Sequence, residues 1–324
     1  MNTTATSLDT PCGSIPVHGP VERFPDGGPR SCTPCGPAAL ATRFGTLVPQ
    51  HSTDDLRRRT VQALTFHPGG LPRCLPLEQP TRIETPAGVI DAELLTFHPD
   101  GSLRRAFPLN GKLSGYWTEA DEGALAKTME VSTPLGRLTA KIISLCFHPC
   151  GTLASITLWP GEEVALPTPA GTLAARVGMA FRPDGSLRSI EPARPQAVPT
   201  PAGSIMAYDL DAVGICGDAN SLCFAPDGRV EGVTTSLTRV LARRDDGSEQ
   251  VFAPGTRESL CGDAERESAP MRLEFAPGVA RIRNGERAPW VRLELSRVRL
   301  RAEPALTGFA LGPGAGLARA SCGI

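Results

Sequence analysis

Aromatic residues make up only 5% of this 324-residue chain. The interior must therefore be thin, filled by Val, Ile, Leu and single Phe side chains rather than by stacked rings. No stretch of about 20 apolar residues occurs, so no membrane-spanning helix is expected. The opening Met1-Asn2-Thr3-Thr4-Ala5 lacks the basic and apolar regions of a secretory signal, which makes the cytoplasm the expected location. No long run of one charge is present and the formal net charge is −1. The bulk electrostatic footprint of a nucleic-acid or anionic-membrane binder is thus missing. Ten cysteines in so long a chain do not amount to a disulfide scaffold. Gly-x-Ser-x-Gly does not occur, and no Cys or Ser stands beside a His and an acid in a recognisable catalytic context. The tail Gly312-Pro313-Gly314-Ala315-Gly316 lacks the Lys-Ser/Thr of a phosphate loop. Catalytic residues and cofactors are expected to be none.

Turn formers are abundant instead, with 34 glycines and 32 prolines, and they are ordered. A Pro-x-Gly unit recurs twelve times, alternating between two flavours. One begins with Thr: Thr10-Pro11-Cys12-Gly13, then at Thr33, Thr85, Thr133, Thr168 and Thr200. The other begins at Phe24, His67, His98, His148, Arg182 and Ala225, as in His98-Pro99-Asp100-Gly101. Proline pre-sets φ at the second position of a type I turn, Asp suits the third, and Gly suits a left-handed fourth. Such a turn links antiparallel neighbours. Between turns, Leu173, Ala175, Val177, Met179 and Phe181 alternate with Thr172, Ala174, Arg176, Gly178 and Ala180, the period of a strand with one buried face. The stretches 138–147 and 90–97 have odd end-to-end separations, and the doublets Ile142-Ile143 and Leu94-Leu95 read as bulges that restore the inward face.

The expected fold is all-β, an elongated antiparallel meander of repeated hairpins with short helical insertions; a β-propeller is the alternative. Residues 1–9 read as a disordered N-terminus, 10–240 as a six-hairpin array, 241–302 as a degenerate repeat and β cap, and 303–324 as a flexible Gly/Ala-rich tail. One insertion spans 37–63, where Asp54-Asp55 followed by Arg57-Arg58-Arg59 suits a short helix. A second holds Tyr116-Trp117-Thr118-Glu119-Ala120-Asp121, in which Thr118 and Asp121 form an N-cap pair. A long final strand with a break near Ser296-Arg297 carries the basic stripe Arg297, Arg299 and Arg301, which suits a charged edge that blocks strand addition.

His67, His98 and His148 share one turn position, and a row of imidazoles suggests a metal. Equivalent residues of successive hairpins lie roughly 9–10 Å apart, whereas ligands of one zinc ion lie within about 4 Å of one another. Arg182 and Ala225 also fill the position, so it reads as turn filler. Cys32-x-x-Cys35 has redox or zinc spacing without a second such pair; Cys12, Cys32 and Cys35 would form a metal site only if the first hairpin folds back. Tyr116 and Trp117, with Glu119 and Asp121, are the expected partner-binding residues, because aromatic anchors in an inserted loop favour contact.

Phe-His-Pro-Asp-Gly-Ser-Leu-Arg (97–104) and Phe-Arg-Pro-Asp-Gly-Ser-Leu-Arg-Ser (181–189) resemble bacterial MORN-type hairpin repeats over residues 10–240. The resemblance implies a β-ribbon used for protein or lipid contact and carries over no catalytic residue. The expected function is a non-enzymatic scaffold for an unidentified protein partner. The alternatives are a metal- or redox-linked module using turn Cys and His, and a structural subunit of a larger assembly.

Overall fold

The computed structural model describes residues 6–54, 56–110, 117–210, 212, 217, 219–258, 266–285 and 288–305. Among them are 28 strands and one short helix, Glu119–Leu125. The fold is an all-β antiparallel meander. Contacts divide the chain into two compact units. The first runs to Ile156 and includes Pro183–Gly185; the second is Thr157–Arg182 and the chain from Ser186 on.

In the first unit one ladder runs through Glu22–Arg23, Pro29–Cys32, Leu64–Phe66, Pro72–Thr85, Gly88–Phe97, Leu103–Phe107 and Gly136–Phe147. In the second, another runs through Gly171–Phe181, Leu187–Pro192, Leu222–Phe224, Val230–Thr235, Met271–Ala276, Val279–Asn284 and Val291–Glu294. Seven strands in one continuous run are not the separate four-stranded blades of a propeller.

Eleven of the twelve Pro-x-Gly units reverse the chain, and each flavour has its own wiring. In the Thr flavour the hydroxyl does two jobs. Thr85 Oγ1 accepts from the Ala87 N–H (3.2 Å) and donates to the Gly88 carbonyl (2.7 Å), and the same pair recurs at Thr10, Thr133, Thr168 and Thr200. The other flavour is a five-residue loop. The His98 N–H donates to Ser102 O (2.8 Å), and the Gly101 N–H returns to His98 O (2.9 Å). Asp100 accepts from the Ser102 hydroxyl and N–H, which hold its carboxyl below the ordinary range.

Thr33-Pro34-Cys35-Gly36 is the exception and corrects the regular reading. It lies extended beside the first hairpin, with Pro34 bridged to Val17 and the Cys35 N–H on Pro16 O (2.9 Å). Its repeat turns instead at Thr42-Arg43-Phe44-Gly45, between Leu40–Thr42 and Gly45–Leu47, with the same Thr hydroxyl pair and no proline. The Thr hydroxyl and the left-handed glycine, not the proline, are what this turn requires.

Successive repeats interlock by fixed contacts. The turn histidine reaches the next turn of its kind: His67 Nε2 bonds Phe97 O (2.9 Å) and His98 Nε2 bonds Phe147 O (3.0 Å). In the second unit Arg182 Nη2 does the same to Phe224 O. A long donor at this position, His or Arg, thus ties one repeat to the next, whereas Phe24 and Ala225 fill the position without a side-chain donor. Gly70 has φ +84°, and a side chain on it would sit 2.8 Å from Pro11 of the first Thr turn. Gly228 lies likewise against Pro169.

Each segment between a Thr turn and the next turn of the other kind has two constant halves, within one long strand in three cases and in two separate strands, Gly203–Ala207 and Leu222–Phe224, in the fourth. After the Thr turn comes Gly-x-Leu/Ile-x-Ala, ending at Ala92, Ala140, Ala175 or Ala207; before the other turn comes Leu/Met-x-Phe, starting at Leu95, Leu145, Met179 or Leu222. Both halves bury their apolar residues. The waist between them is 93–94, 141–144, 176–178 or 208–221. The buried phase switches between Ala92 and Glu93 and between Ser144 and Leu145, each next to a doublet in which a bulge was expected and not within it. The strand read as an unbroken alternation, 172–181, is in fact kinked. Val177 adopts φ +58° and the pairing shifts between Arg176 and Met179.

Several boundaries differ from expectation. Residues 6–9 are part of the strand Thr6–Thr10, paired to Gly13–Val17, instead of a disordered end. The described residues of 52–60 form no helix; the Asp54 carboxylate gathers the N–H groups of Leu56, Arg57 and Arg58 in a tight bend. The final strand is two strands: Val291–Glu294 joins the ladder, whereas Val298–Pro304 pairs with Thr238–Arg244. The expected tail from 306 onward lies outside the described residues.

Candidate functional site

The waists gather the buried charge. In the first unit Glu93 sits in the 93–94 waist, only 4% exposed. Arg57, from the bend capped by Asp54, meets it with Nη1 to Oε1 (2.9 Å) and Nη2 to Oε2 (2.7 Å). The other edge of the guanidinium meets Glu122 of the helix, Nε to Oε2 (2.9 Å) and Nη2 to Oε1 (2.7 Å). Glu122 is 5% exposed and also accepts from Trp117 Nε1 (2.6 Å). The Asn110 N–H donates to Glu93 Oε2 (2.8 Å). Burial works against the Arg57 charge, and the hydrogen bonds to Glu122 and Glu93 more than offset it, so the guanidinium is held above its ordinary range. Bidentate Arg–carboxylate pairs of this kind are directional and strong. Arg58 next door fixes the same bend to the sheet through the Leu77 (3.1 Å) and Glu78 (2.8 Å) carbonyls.

The clamp pins both insertions to the sheet and leaves apolar side chains outside it. Leu56, adjacent to Arg57, is 58% exposed, and Leu125, three residues past Glu122, is 44% exposed. Trp117 is half-buried with its indole N–H turned into the cluster. Glu119 is exposed in the first helical turn. Asp121 closes the capping box: its carboxylate accepts from the Thr118 hydroxyl and N–H, which hold it below the ordinary carboxylate range, while Thr118 Oγ1 accepts from the Asp121 N–H. Asp121 thus shapes the helix start. Tyr116 lies outside the described residues.

The second unit has its own waist cluster. Glu191, on the strand Leu187–Pro192, is 2% exposed, and burial pushes its carboxyl up to about 7 against the hydrogen bond from Ser221. Its Oε2 accepts from the Ser221 N–H (2.7 Å). Arg176, beside the strained Val177, approaches Oε1 only to 3.8 Å. It donates instead to Pro192 O (3.2 Å) and Asp209 O (2.5 Å) and stacks on Tyr208 at 4.6 Å. Asn220 donates to Ser189 Oγ and Gly217 O, both at 2.9 Å. None of these groups was singled out by the sequence. The available signal was a charged residue, Glu93 or Glu191, placed between apolar neighbours of a strand.

The cysteines separate by environment. Cys12 and Cys32 are buried and Cys35 is exposed; burial pushes the Cys32 thiol up to about 11. The Cys12 carbonyl accepts the Ala41 N–H (2.8 Å), much as Ala87 O accepts that of Ser132 (2.8 Å), a hairpin-to-hairpin contact. Among the described residues no three His, Cys, Asp or Glu side chains are grouped to hold a metal ion, and no helix is long and apolar enough to cross a membrane. No protein-family model matches the chain, and comparison with curated proteins and with solved structures gives no match either.

Proposed function

We propose that this chain is a non-enzymatic repeat scaffold, in the manner of the MORN-like hairpin arrays, that presents its two insertions to a partner protein. The observation that carries the reading is the Arg57 clamp. A largely enclosed guanidinium joins two insertions to the repeat sheet, and those insertions carry Leu56 and Leu125 in water and a half-buried Trp117. Ordering exposed apolar side chains in advance lowers the entropic cost of association, and a central apolar or aromatic anchor with a charged rim is the usual anatomy of a contact patch. Trp117 is the anchor in this reading and Glu119 belongs to the rim. Asp121 acts by fixing the helix, and Tyr116, which precedes Trp117 in the chain, is assigned to the same contact.

A photo-crosslinking residue placed at Leu125, with one at Val251 of the second unit as control, tests the reading in the native host. One protein captured at 125 and not at 251, and lost when Leu56→Asp is added, is the expected result. Equal capture at both positions removes the insertions from the function. Leu56→Asp and Leu125→Asp replace exposed side chains and should change stability by less than about 0.5 kcal/mol, so loss of capture cannot be ascribed to unfolding.

A further inference from the structure

Among the described residues, the second unit contains two buried acceptor atoms with no donor: Glu191 Oε1 and Asn220 Oδ1. Glu191 is 2% and Asn220 3% exposed. The two groups belong to one seam. The Ser221 N–H, next in the chain after Asn220, donates to Glu191 Oε2, and the Asn220 amide nitrogen donates to Ser189, two residues from Glu191 on the same strand. We propose that Glu191 is the neutral acid in the folded protein and that its proton lies between Glu191 Oε1 and Asn220 Oδ1, so that this seam is a proton-sensitive joint. One proton converts Oε1 into a donor and satisfies both atoms; leaving each unpaired is expensive in a buried site.

The charges around the seam leave that position to the proton. Arg176, on the preceding strand, stays 3.8 Å from Oε1 because Pro192 O, Asp209 O and the Tyr208 ring hold its guanidinium. Asp209, from the residues that follow Gly203–Ala207, adds a second negative charge and disfavours the ionised Glu191. On the other side Cys223 pairs with Ser189, and Arg272 points at the Cys223 sulfur (3.6 Å) and Thr234 Oγ1 (3.1 Å). Burial raises the Glu191 carboxyl toward neutrality, in agreement with this arrangement. Ionisation releases the proton to solvent and sets a carboxylate oxygen against an amide oxygen. The Asn220 amide must then turn, which breaks its bonds to Ser189 and Gly217. The joint is tight in mild acid and loosens as the pH passes neutrality.

The sign follows from the raised carboxyl. The folded state keeps the proton between the ordinary glutamate range and about 7 while the unfolded chain has lost it, so stability falls as pH rises through that window. The full chain and the Glu191→Gln variant are melted at pH 5.5 and pH 8, and the Glu191 carboxyl is titrated by carbon-13 NMR, assigned by its absence in the variant. The amide introduced by Glu191→Gln is a permanent donor. The variant should therefore melt at pH 8 as wild type does at pH 5.5, with its own pH dependence reduced by the Glu191 share. Asn220→Ala should bring the Glu191 titration down toward the ordinary carboxylate range. A Glu191 carboxylate already ionised at pH 5.5, as a bridging water would leave it, overturns the proposal. So does a Glu191→Gln variant that melts no higher than wild type at pH 8. Should Asn220→Ala fail to fold, these two readouts decide alone.

Discussion

Glu93 is a carboxylate buried in one waist and Glu191 is one buried opposite another, across from Arg176, and their partners differ. Glu93 receives three hydrogen bonds, two from Arg57 and one from the Asn110 N–H. Glu191 is bonded by Ser221 alone, through its N–H and its side chain, and its arginine stops short. In the first unit the guanidinium comes from a distant insertion that is free to approach edge-on. In the second it comes from the neighbouring strand, where Arg176 is committed to two backbone carbonyls and an aromatic ring. A carboxylate matched by a purpose-built clamp ties structure together. One that is under-matched becomes the place where a proton can be gained or lost.

The comparison is broken most directly by Arg57→Met, which strands two buried carboxylates. It should cost the first unit about 3–5 kcal/mol, read by urea unfolding, and a loss under about 1 kcal/mol would show that the clamp does not hold the insertions. Trp117→Phe keeps the ring and removes one bond to a charged acceptor; about 2 kcal/mol is expected, with Trp fluorescence of the remaining indoles as the probe. Arg176→Met, the counterpart in the second unit, loses bonds to neutral carbonyls and a ring contact, about 1.5 kcal/mol. If it equals Arg57→Met, the two clusters are not different in kind. His98→Ala removes one imidazole-to-carbonyl bond and should cost about 1 kcal/mol, with faster amide exchange of the strand that ends at Phe147.

The turns were legible because their chemistry is local. Thr, Pro, Asp and Gly act within four or five residues, and eleven of the twelve units reverse the chain as read. Thr33-Pro34-Cys35-Gly36 has the letters without the hairpin, and Thr42-Arg43-Phe44-Gly45 has the hairpin without the proline. Local signals alone do not say which of two nearby candidates the sheet will use. The helix at Glu119–Leu125 and its Thr118/Asp121 cap were readable for the same reason. The histidines were read as filler because their acceptors, Phe97 O and Phe147 O, lie 30 and 49 residues away. The waist clusters were hidden more deeply. Arg57 reaches residues 36 and 65 positions off, and Val177 fits the apolar alternation while its backbone leaves the strand region.

The unequal waists have a consequence for altering this molecule. Two, three, four or fourteen residues are accommodated between the same two half-strands. Lengthening such a link sevenfold costs only about 2 kcal/mol in closure entropy, and the flanking halves keep their own contacts. Each waist is therefore a socket into which foreign sequence can be spliced, and the 93–94 and 176–178 junctions are the ones where a grafted loop would report whether its host tolerates a passenger.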